Sequence, residues 1–279
     1  MSMEDIEILY SSLKSLKIIK NCEKNNILDL SDVTFSTPFL ITPITAFYNI
    51  SSKKPKIIFP KNKCTLSYLK TINFPKTYKN LKNANIKKET YSPLYEIENS
   101  ILSNNNEILN LLNRILINKY NLKNNINIIF LIFDELLCNI QEHSNSKFNC
   151  LQIQKYNDKI AISIVDTGIT IPISYIKKNI DLINENDTIF LEYALKGIST
   201  KNEELRGTGI PNTYKLVCDA FKGSFLIISR EGGLLKIPKK DLIFFNLKEY
   251  NLKFNGTIIN ILFKITDEKI DYTKHIFNL

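Results

Sequence analysis

The chain has 279 residues, with 37 lysines and arginines against 28 aspartates and glutamates, and a formal net charge of +9. This length predicts two ordinary domains, each large enough to bury a core. The sequence shows neither a run of about 18 apolar residues nor a basic-then-apolar leader, so we expect a cytoplasmic protein without membrane contact. Its five cysteines are scattered and include no CxxC pair, which argues against a disulfide framework or a zinc site.

Residues 1–95 are predicted to form a small α/β domain. The segments NILDLSDV and PKIIFP indicate two short strands. Thr37 and Pro38 are typical of a helix start, and TLSYLKTI predicts a further helix, so strands and helices alternate. The stretch LDLSDVTFSTPFL resembles the central strand and helix start of STAS-like domains, the fold of anti-sigma-factor antagonists. That resemblance implies phosphorylation at Ser36 or Thr37, whereas simple capping of the helix by these hydroxyls is the alternative that we favour.

A lysine-rich segment lies within this first region. From Ser51 to Lys88 the sequence contains eleven lysines and no acidic residue, with aromatic residues interleaved. This pattern suits a nucleic-acid surface between Lys53 and Lys88. The whole chain is crowded with Lys, Asn and Ile, however, as expected from an AT-rich genome. We therefore expect little nucleic-acid binding and regard a protein partner or a homodimer as the better prediction.

Residues 107–266 are predicted to form the second domain, after a polar linker at 92–107. The segment ILNLLNRILINKY predicts a helix, and FNCLQIQKY and KIAISIVDTG predict two strands joined by a tight turn at Asn157 and Asp158. A long irregular section then precedes the helix GIPNTYKLVCDAF and the closing strands GSFLIISRE and GTIINILFKI. The expected fold class is therefore α+β, as a two-layer α/β sandwich with one sheet covered on one face, preceded by the small α/β domain.

The stretch FDELLCNIQEHS carries the first candidate chemistry. Its apolar residues recur at helical spacing, which puts Glu135 and Asn139 on one surface of a helix, one turn apart. A carboxylate can accept a proton from an attacking group, and a neutral amide oxygen can bind magnesium. The alternative is a surface helix whose polar face happens to contain these two residues.

Further polar residues stand at the ends of the predicted elements. Asp166 and Gly168 close the strand SIVDTG, where a carboxylate can accept a hydrogen bond from an amine and a glycine lets a ring approach the backbone. The segment RGTG runs into a helix, and free backbone amides at a helix N-terminus favour phosphate. Each segment is equally compatible with an ordinary turn or loop.

The order and spacing of these segments resemble the GHKL ATPase superfamily, which includes histidine kinases and anti-sigma-factor kinases. In that family the glutamate matching Glu135 activates the attacking group, and the asparagine matching Asn139 binds magnesium. VDTGITIP is similar to the family's adenine box, which implies that Asp166 contacts the adenine amine, that Gly168 lies against the ring and that Ile171 completes the box. The lid and the last box imply that the remaining nucleotide-binding residues are Lys201, Arg206, Gly207, Thr208, Gly209 and Thr257.

Three positions depart from the family pattern. Thr170 stands at the usual second glycine of the adenine box, Leu205 at the usual first glycine of the lid, and Ile140 at the alanine common after the asparagine. None of them removes a group that the chemistry requires. With a small domain before the ATPase-like region, the arrangement resembles the kinases of anti-sigma factors and switch proteins. It implies a regulatory protein that binds ATP and Mg²⁺ and acts as an ATPase or as a serine/threonine kinase on a partner; the alternative is a nucleotide-gated binding module without catalysis.

Overall fold

The computed structural model describes residues 3–79, 90–97, 124–140, 145–156, 158–199, 209–266 and 268–276. Its strands are β1 (Ile27–Asp29), β2 (Lys56–Ile58), β3 (Tyr95–Glu96), β4 (Asn149–Tyr156), β5 (Lys159–Asp166), β6 (Ser224–Arg230), β7 (Gly232–Lys236), β8 (Ile243–Asn246) and β9 (Phe254–Lys264). Its α-helices are α1 (Met3–Asn25), α2 (Pro38–Ile50), α3 (Lys63–Thr71), α4 (Ile126–Asn139), α5 (Ile171–Lys178), α6 (Asp187–Leu195), α7 (Gly209–Tyr214) and α8 (Thr273–Ile276). A π-helical segment, Lys215–Ala220, continues α7.

An antiparallel sheet organises the described part of the chain. Its seven strands run in the order β3-β4-β5-β9-β6-β7-β8. Strand β5 pairs with β4 on one side and with β9 on the other, along its whole length. Asp166, the last residue of β5, lies opposite Thr257 of β9. The mixed α+β class predicted from the sequence is therefore confirmed.

Helices cover this sheet on both faces. On one face, α4 and the π-helical segment share a hydrophobic cluster with alternate residues of the central strands, such as Ile162 and Ile261. On the other face, α1 and α2 share a second cluster with the intervening residues, such as Ala161 and Val165. The expectation of a sheet covered on one face is therefore wrong for the described residues. The reason is visible in KIAISIVD, an almost continuous apolar run of the kind that is buried on both sides.

The first region contains the predicted alternation of strands and helices. β1 and β2 pair in parallel, with α2 between them in the chain and α3 after β2. Thr37 caps α2, since its hydroxyl accepts a hydrogen bond from Leu40 N at 3.3 Å. Ser36 and Thr37 are both buried, with 3% and 2% of their surface exposed, which disfavours phosphorylation. The capping alternative fits Thr37 only, because Ser36 Oγ has no hydrogen-bond partner among the described residues. The long helix α1 was not predicted, and it packs with α2 on the sheet.

The predicted linker begins as part of the sheet. Tyr95 and Glu96, at its start, form β3 and pair with β4, and the Tyr95 side chain is fully buried. The linker prediction is wrong for these residues. The rest of the linker, from residue 98, and the helix predicted at 108–120 lie outside the described residues. The division into domains at 1–95 and 107–266 stays a prediction.

The section predicted to be irregular contains two helices, α5 and α6, with a 3-10 turn at Ile180–Asn184 between them. Thr170 caps α5 by accepting from Ile173 N, and Asn186 caps α6 by accepting from Thr188 N. A partly buried ion pair joins α6 to the β6-β7 hairpin: Arg230 Nε donates to Asp187 Oδ2 at 2.7 Å, and Arg230 Nη2 donates to the other carboxylate oxygen.

The start of α4 is fixed by a side chain from outside the helix. Asn125 is fully buried, and its amide nitrogen donates to the carbonyl oxygens of Thr266 and Glu268, at 3.0 and 2.8 Å. Its amide oxygen accepts from Ile270 N at 3.0 Å. The segment that follows β9 therefore holds α4 in place over the sheet. No helix in the described part of the chain has both the length and the apolar character needed to cross a membrane.

Candidate functional site

Helix α4 presents Glu135 and Asn139 to the N-terminus of α7. The neighbouring residues Phe133, Leu136 and Leu137 are buried against the sheet, which turns the two polar side chains sideways. A Cβ atom built on Gly209 would lie 3.0 Å from Glu135 Oε2 and 2.9 Å from Asn139 Nδ2. The backbone of Gly209 therefore lies directly against both side chains, and a larger residue would have to displace them. The sequence-based prediction that Glu135 and Asn139 share one surface is confirmed.

The polar atoms of this pair are only partly satisfied. Glu135 Oε1 accepts a long hydrogen bond, 3.4 Å, from Asn212 Nδ2 of α7. Asn139 Nδ2 is buried and has no hydrogen-bond partner among the described residues. A buried amide without a partner is unfavourable by about 1–3 kcal/mol, so this position is typical of a group that a ligand completes.

Asp166 lies at the end of β5, on the same face of the sheet. It is 7% exposed, and its Oδ1 accepts from the backbone N–H of Gly168 at 2.9 Å. The hydroxyl of Thr257, opposite it on β9, also hydrogen-bonds the carboxyl group. Burial raises the pKa of Asp166 to about 7, although the bonds from Gly168 and Thr257 act in the opposite direction.

Gly256 makes the close approach of β9 and β5 possible. Its φ is +152°, and a Cβ atom built there would lie 2.1 Å from the backbone oxygen of Asp166. No side chain fits at that distance, and the conformation itself favours glycine. The next residue, Thr257, is thereby held beside the Asp166 carboxyl group.

A cavity connects the two groups of residues. Its volume is about 120 Å³, against the roughly 10–15 Å³ that one water molecule needs, so it has room for an organic ring. Asp166 and Thr257 line one end, and Asn139 and Gly209 line another part of the wall. Most of the remaining wall is apolar and comes from the sheet and from helices α4, α5, α6 and α7.

Helices α5 and α6 build the wall opposite the sheet. Tyr175 lines the cavity and stacks on Phe190 of α6 with 5.8 Å between the ring centroids. Its hydroxyl donates to the backbone oxygen of Ile198, which also lines the cavity. Because this wall belongs to the section predicted to be irregular, sequence reasoning did not find Tyr175.

The structure thus brings together five of the predicted site residues. Asn139, Asp166, Ile171, Gly209 and Thr257 all line the cavity. The other two described candidates lie next to it: Glu135 contacts Gly209, and Gly168 donates its N–H to Asp166. The predicted lid residues Lys201, Arg206, Gly207 and Thr208 lie outside the described residues.

The described part of the chain shows no cluster of acidic, histidine and cysteine ligands for a metal ion. No group of three or more His, Cys, Asp and Glu side chains comes together there. A bound anion would supply further oxygen ligands to a cation at Asn139. Magnesium is commonly bound in this way, by one or two protein ligands together with substrate phosphates.

Two comparisons with known proteins bear on the chain. No protein-family model matches the sequence. No curated protein matches it either.

Proposed function

We propose that the protein binds Mg-ATP in this cavity, as a GHKL-type ATPase domain does, and uses it to regulate a partner protein. It would either hydrolyse the nucleotide or transfer its terminal phosphate to a hydroxyl group of that partner. One observation carries the proposal. A single cavity is lined at one end by the buried carboxyl group of Asp166 and elsewhere by the unsatisfied amide of Asn139, against which Gly209 opens a helix.

The Asp166 end suits an adenine ring. An ionised carboxylate accepts hydrogen bonds and cannot donate them. It therefore recognises an exocyclic amine and rejects a carbonyl group at the same position. Asp166 already accepts from Gly168 and Thr257, and these two donors hold the carboxyl group in one orientation. The apolar walls contributed by Ile171 and Tyr175 suit the faces of a planar ring.

The α4 end suits the phosphates and the chemistry. Asn139 Oδ1 would hold Mg²⁺ together with phosphate oxygens, and the bound cation would neutralise the charge that develops on the transferred phosphate. Glu135 would accept the proton of the attacking water or hydroxyl. It lies beside Asn139 on the same helix, and Asn212 supports it from α7.

The second candidate function is a nucleotide-gated binding module with negligible turnover, whose lysine-rich surface contacts a partner. We define this surface by the described lysines of the range 53–79, every one of which is exposed. Their exposure is the observation that favours this candidate, because exposed lysines attract acidic partners. An intact Glu135 beside Gly209 favours turnover instead.

Nucleotide binding and turnover can be tested separately on the purified full chain. Calorimetric titrations with ATP and GTP, with and without Mg²⁺, should show binding of ATP in preference to GTP. Incubation with radiolabelled ATP, read for free phosphate and for labelled protein, then distinguishes hydrolysis from autophosphorylation. Equal binding of ATP and GTP would overturn the assignment of Asp166, and binding without release or transfer of phosphate would favour the second candidate.

A further inference from the structure

Ser229 of β6 connects the segments that surround Asp166. Its side chain is fully buried, and its Oγ accepts a hydrogen bond from Ile171 N, at the start of α5, at 2.9 Å. The same Oγ lies 3.1 Å from Thr257 Oγ1 and 3.1 Å from the backbone oxygen of Gly256, both in β9. One hydroxyl group thus joins three backbone segments at the base end of the cavity.

We propose that Ser229 is a positioning residue for base recognition: it orients the Thr257 hydroxyl so that Thr257 donates to Asp166. This inference rests on the proposed function of the cavity. The inference extends the proposed function, because it assigns the preference for adenine to a residue that does not line the cavity.

The number of available protons gives the direction of the hydrogen bonds. Ser229 and Thr257 each have one hydroxyl proton. An ionised Asp166 has none, so Thr257 must donate to it, and Thr257 Oγ1 is then free to accept from Ser229. Ile171 N–H donates to Ser229 Oγ, so the single Ser229 proton points toward β9, where the Gly256 carbonyl oxygen and Thr257 Oγ1 both lie 3.1 Å away and share it. In this arrangement Asp166 accepts hydrogen bonds from the Gly168 N–H and from the Thr257 hydroxyl, and its carboxylate can still accept a hydrogen bond from a ligand in the cavity.

Removal of the Ser229 hydroxyl would affect base recognition in two ways. The Thr257 hydroxyl would lose the partner that fixes its rotation, so that it could turn and donate to a carbonyl group of a guanine ring. The N–H of Ile171 would lose its acceptor, and the start of α5 would no longer be held against β6. Both effects act on the base and neither acts on Glu135 or Asn139.

The test compares three variants of the full chain by calorimetric titration with ADP and GDP. Ser229→Ala should weaken ADP binding about 5- to 30-fold, because the buried Ile171 N–H would be left without an acceptor. It should also lower the ratio of the GDP dissociation constant to the ADP dissociation constant. Ser229→Thr retains the hydroxyl and should restore most of both quantities. Ser163→Ala is the matched control, because Ser163 is a fully buried serine on the opposite face of the sheet whose Oγ has no partner among the described residues. It should leave both dissociation constants unchanged.

Hydrogen exchange of the nucleotide-free protein gives a second readout. The amide of Ile171 should exchange faster in Ser229→Ala than in the natural protein, and its protection should return in Ser229→Thr.

If the natural protein prefers ADP and Ser229→Ala keeps the same preference, the role of Ser229 is refuted while the proposed function stands. If the natural protein binds neither nucleotide, the proposed function fails and this inference fails with it. A loss of thermal stability in Ser229→Ala with an unchanged GDP to ADP ratio would show that Ser229 is structural only.

Discussion

Replacing Asp166 with Asn should change how the stability of the protein depends on pH. The pKa of Asp166 is raised to about 7 in the folded chain because the carboxyl group is buried, whereas an unfolded aspartate titrates near its ordinary value of 3.8. The folded state therefore favours the neutral carboxyl group. The contribution of Asp166 to the stability of the folded chain is complete below about pH 4 and is lost as the pH rises toward 7. The free energy of unfolding should therefore fall across that range.

The size of this effect follows from the difference between the two pKa values. It corresponds to roughly 4 kcal/mol at most, which is a large part of the stability of an ordinary domain. Urea denaturation at a series of pH values measures it, and subtracting the curve of Asp166→Asn removes the contributions of all other groups. Asp158→Asn is a useful control, because Asp158 is exposed and its pKa is lowered by its bond to Lys264. Its contribution has the opposite sign, since it is lost as the pH falls.

The same substitution tests recognition of the base. An ionised carboxylate accepts from the adenine amine, so the affinity of the natural protein for ADP should increase as the pH rises through about 7. Asp166→Asn should bind ADP more weakly by about 1–3 kcal/mol and should show no such increase. The role given to Asp166 would be refuted if the natural protein and Asp166→Asn showed the same pH dependence, both in the free energy of unfolding and in the affinity for ADP.

Four further outcomes are expected. Glu135→Gln should slow ATP turnover roughly 100-fold or more in a phosphate-release assay while the dissociation constant for ATP stays nearly unchanged, because the amide cannot take the proton. Asn139→Ala should lower Mg²⁺-dependent ATP binding and turnover together, which titrations with and without Mg²⁺ would show. Asp187→Asn should lower the free energy of urea unfolding by about 2–3 kcal/mol, because Arg230 would keep a partly buried charge without its partner. The lysine-rich surface should show little nucleic-acid binding at physiological salt; a submicromolar, salt-sensitive complex with DNA or RNA would contradict this.

Local patterns predicted the elements that carry most of the site. The apolar run that ends at Asp166 and the helical spacing around Glu135 predicted β5 and α4, and the structure brings their polar residues to one cavity. One of the missed helices, α5, carried a signal as well. Thr170 and Pro172 form the same cap and first-turn pair as Thr37 and Pro38, which did predict a helix.

Other features depend on contacts that are distant in the sequence. Ser229 is one of two serines in the otherwise mostly apolar strand SFLIISR, and only the register of β6 against β9 puts it beside Thr257. The burial of the second sheet face depends on α1, whose serines face inward: Ser12 accepts from Asn260 of β9 at 2.8 Å. A polar residue pattern of this kind indicates an exposed face when read locally, so tertiary packing was needed to show otherwise.

The two ends of the cavity are held by different kinds of structure. At the base end, Asp166, Thr257 and Ser229 lie at the ends of neighbouring strands of one sheet, and hydrogen bonds connect them to one another. Their relative positions are therefore set by strand register, which shifts only in steps of whole residues. At the other end, Glu135 and Gly209 lie on two separate helices, joined by one long hydrogen bond from Asn212 and by packing. Helices can slide against each other by small amounts, so a partner that moved α7 relative to α4 would change the position of Glu135 relative to Gly209 and leave Asp166, Thr257 and Ser229 in place. Under the proposed function, this difference between the two ends favours control of turnover by a partner protein while the nucleotide stays bound.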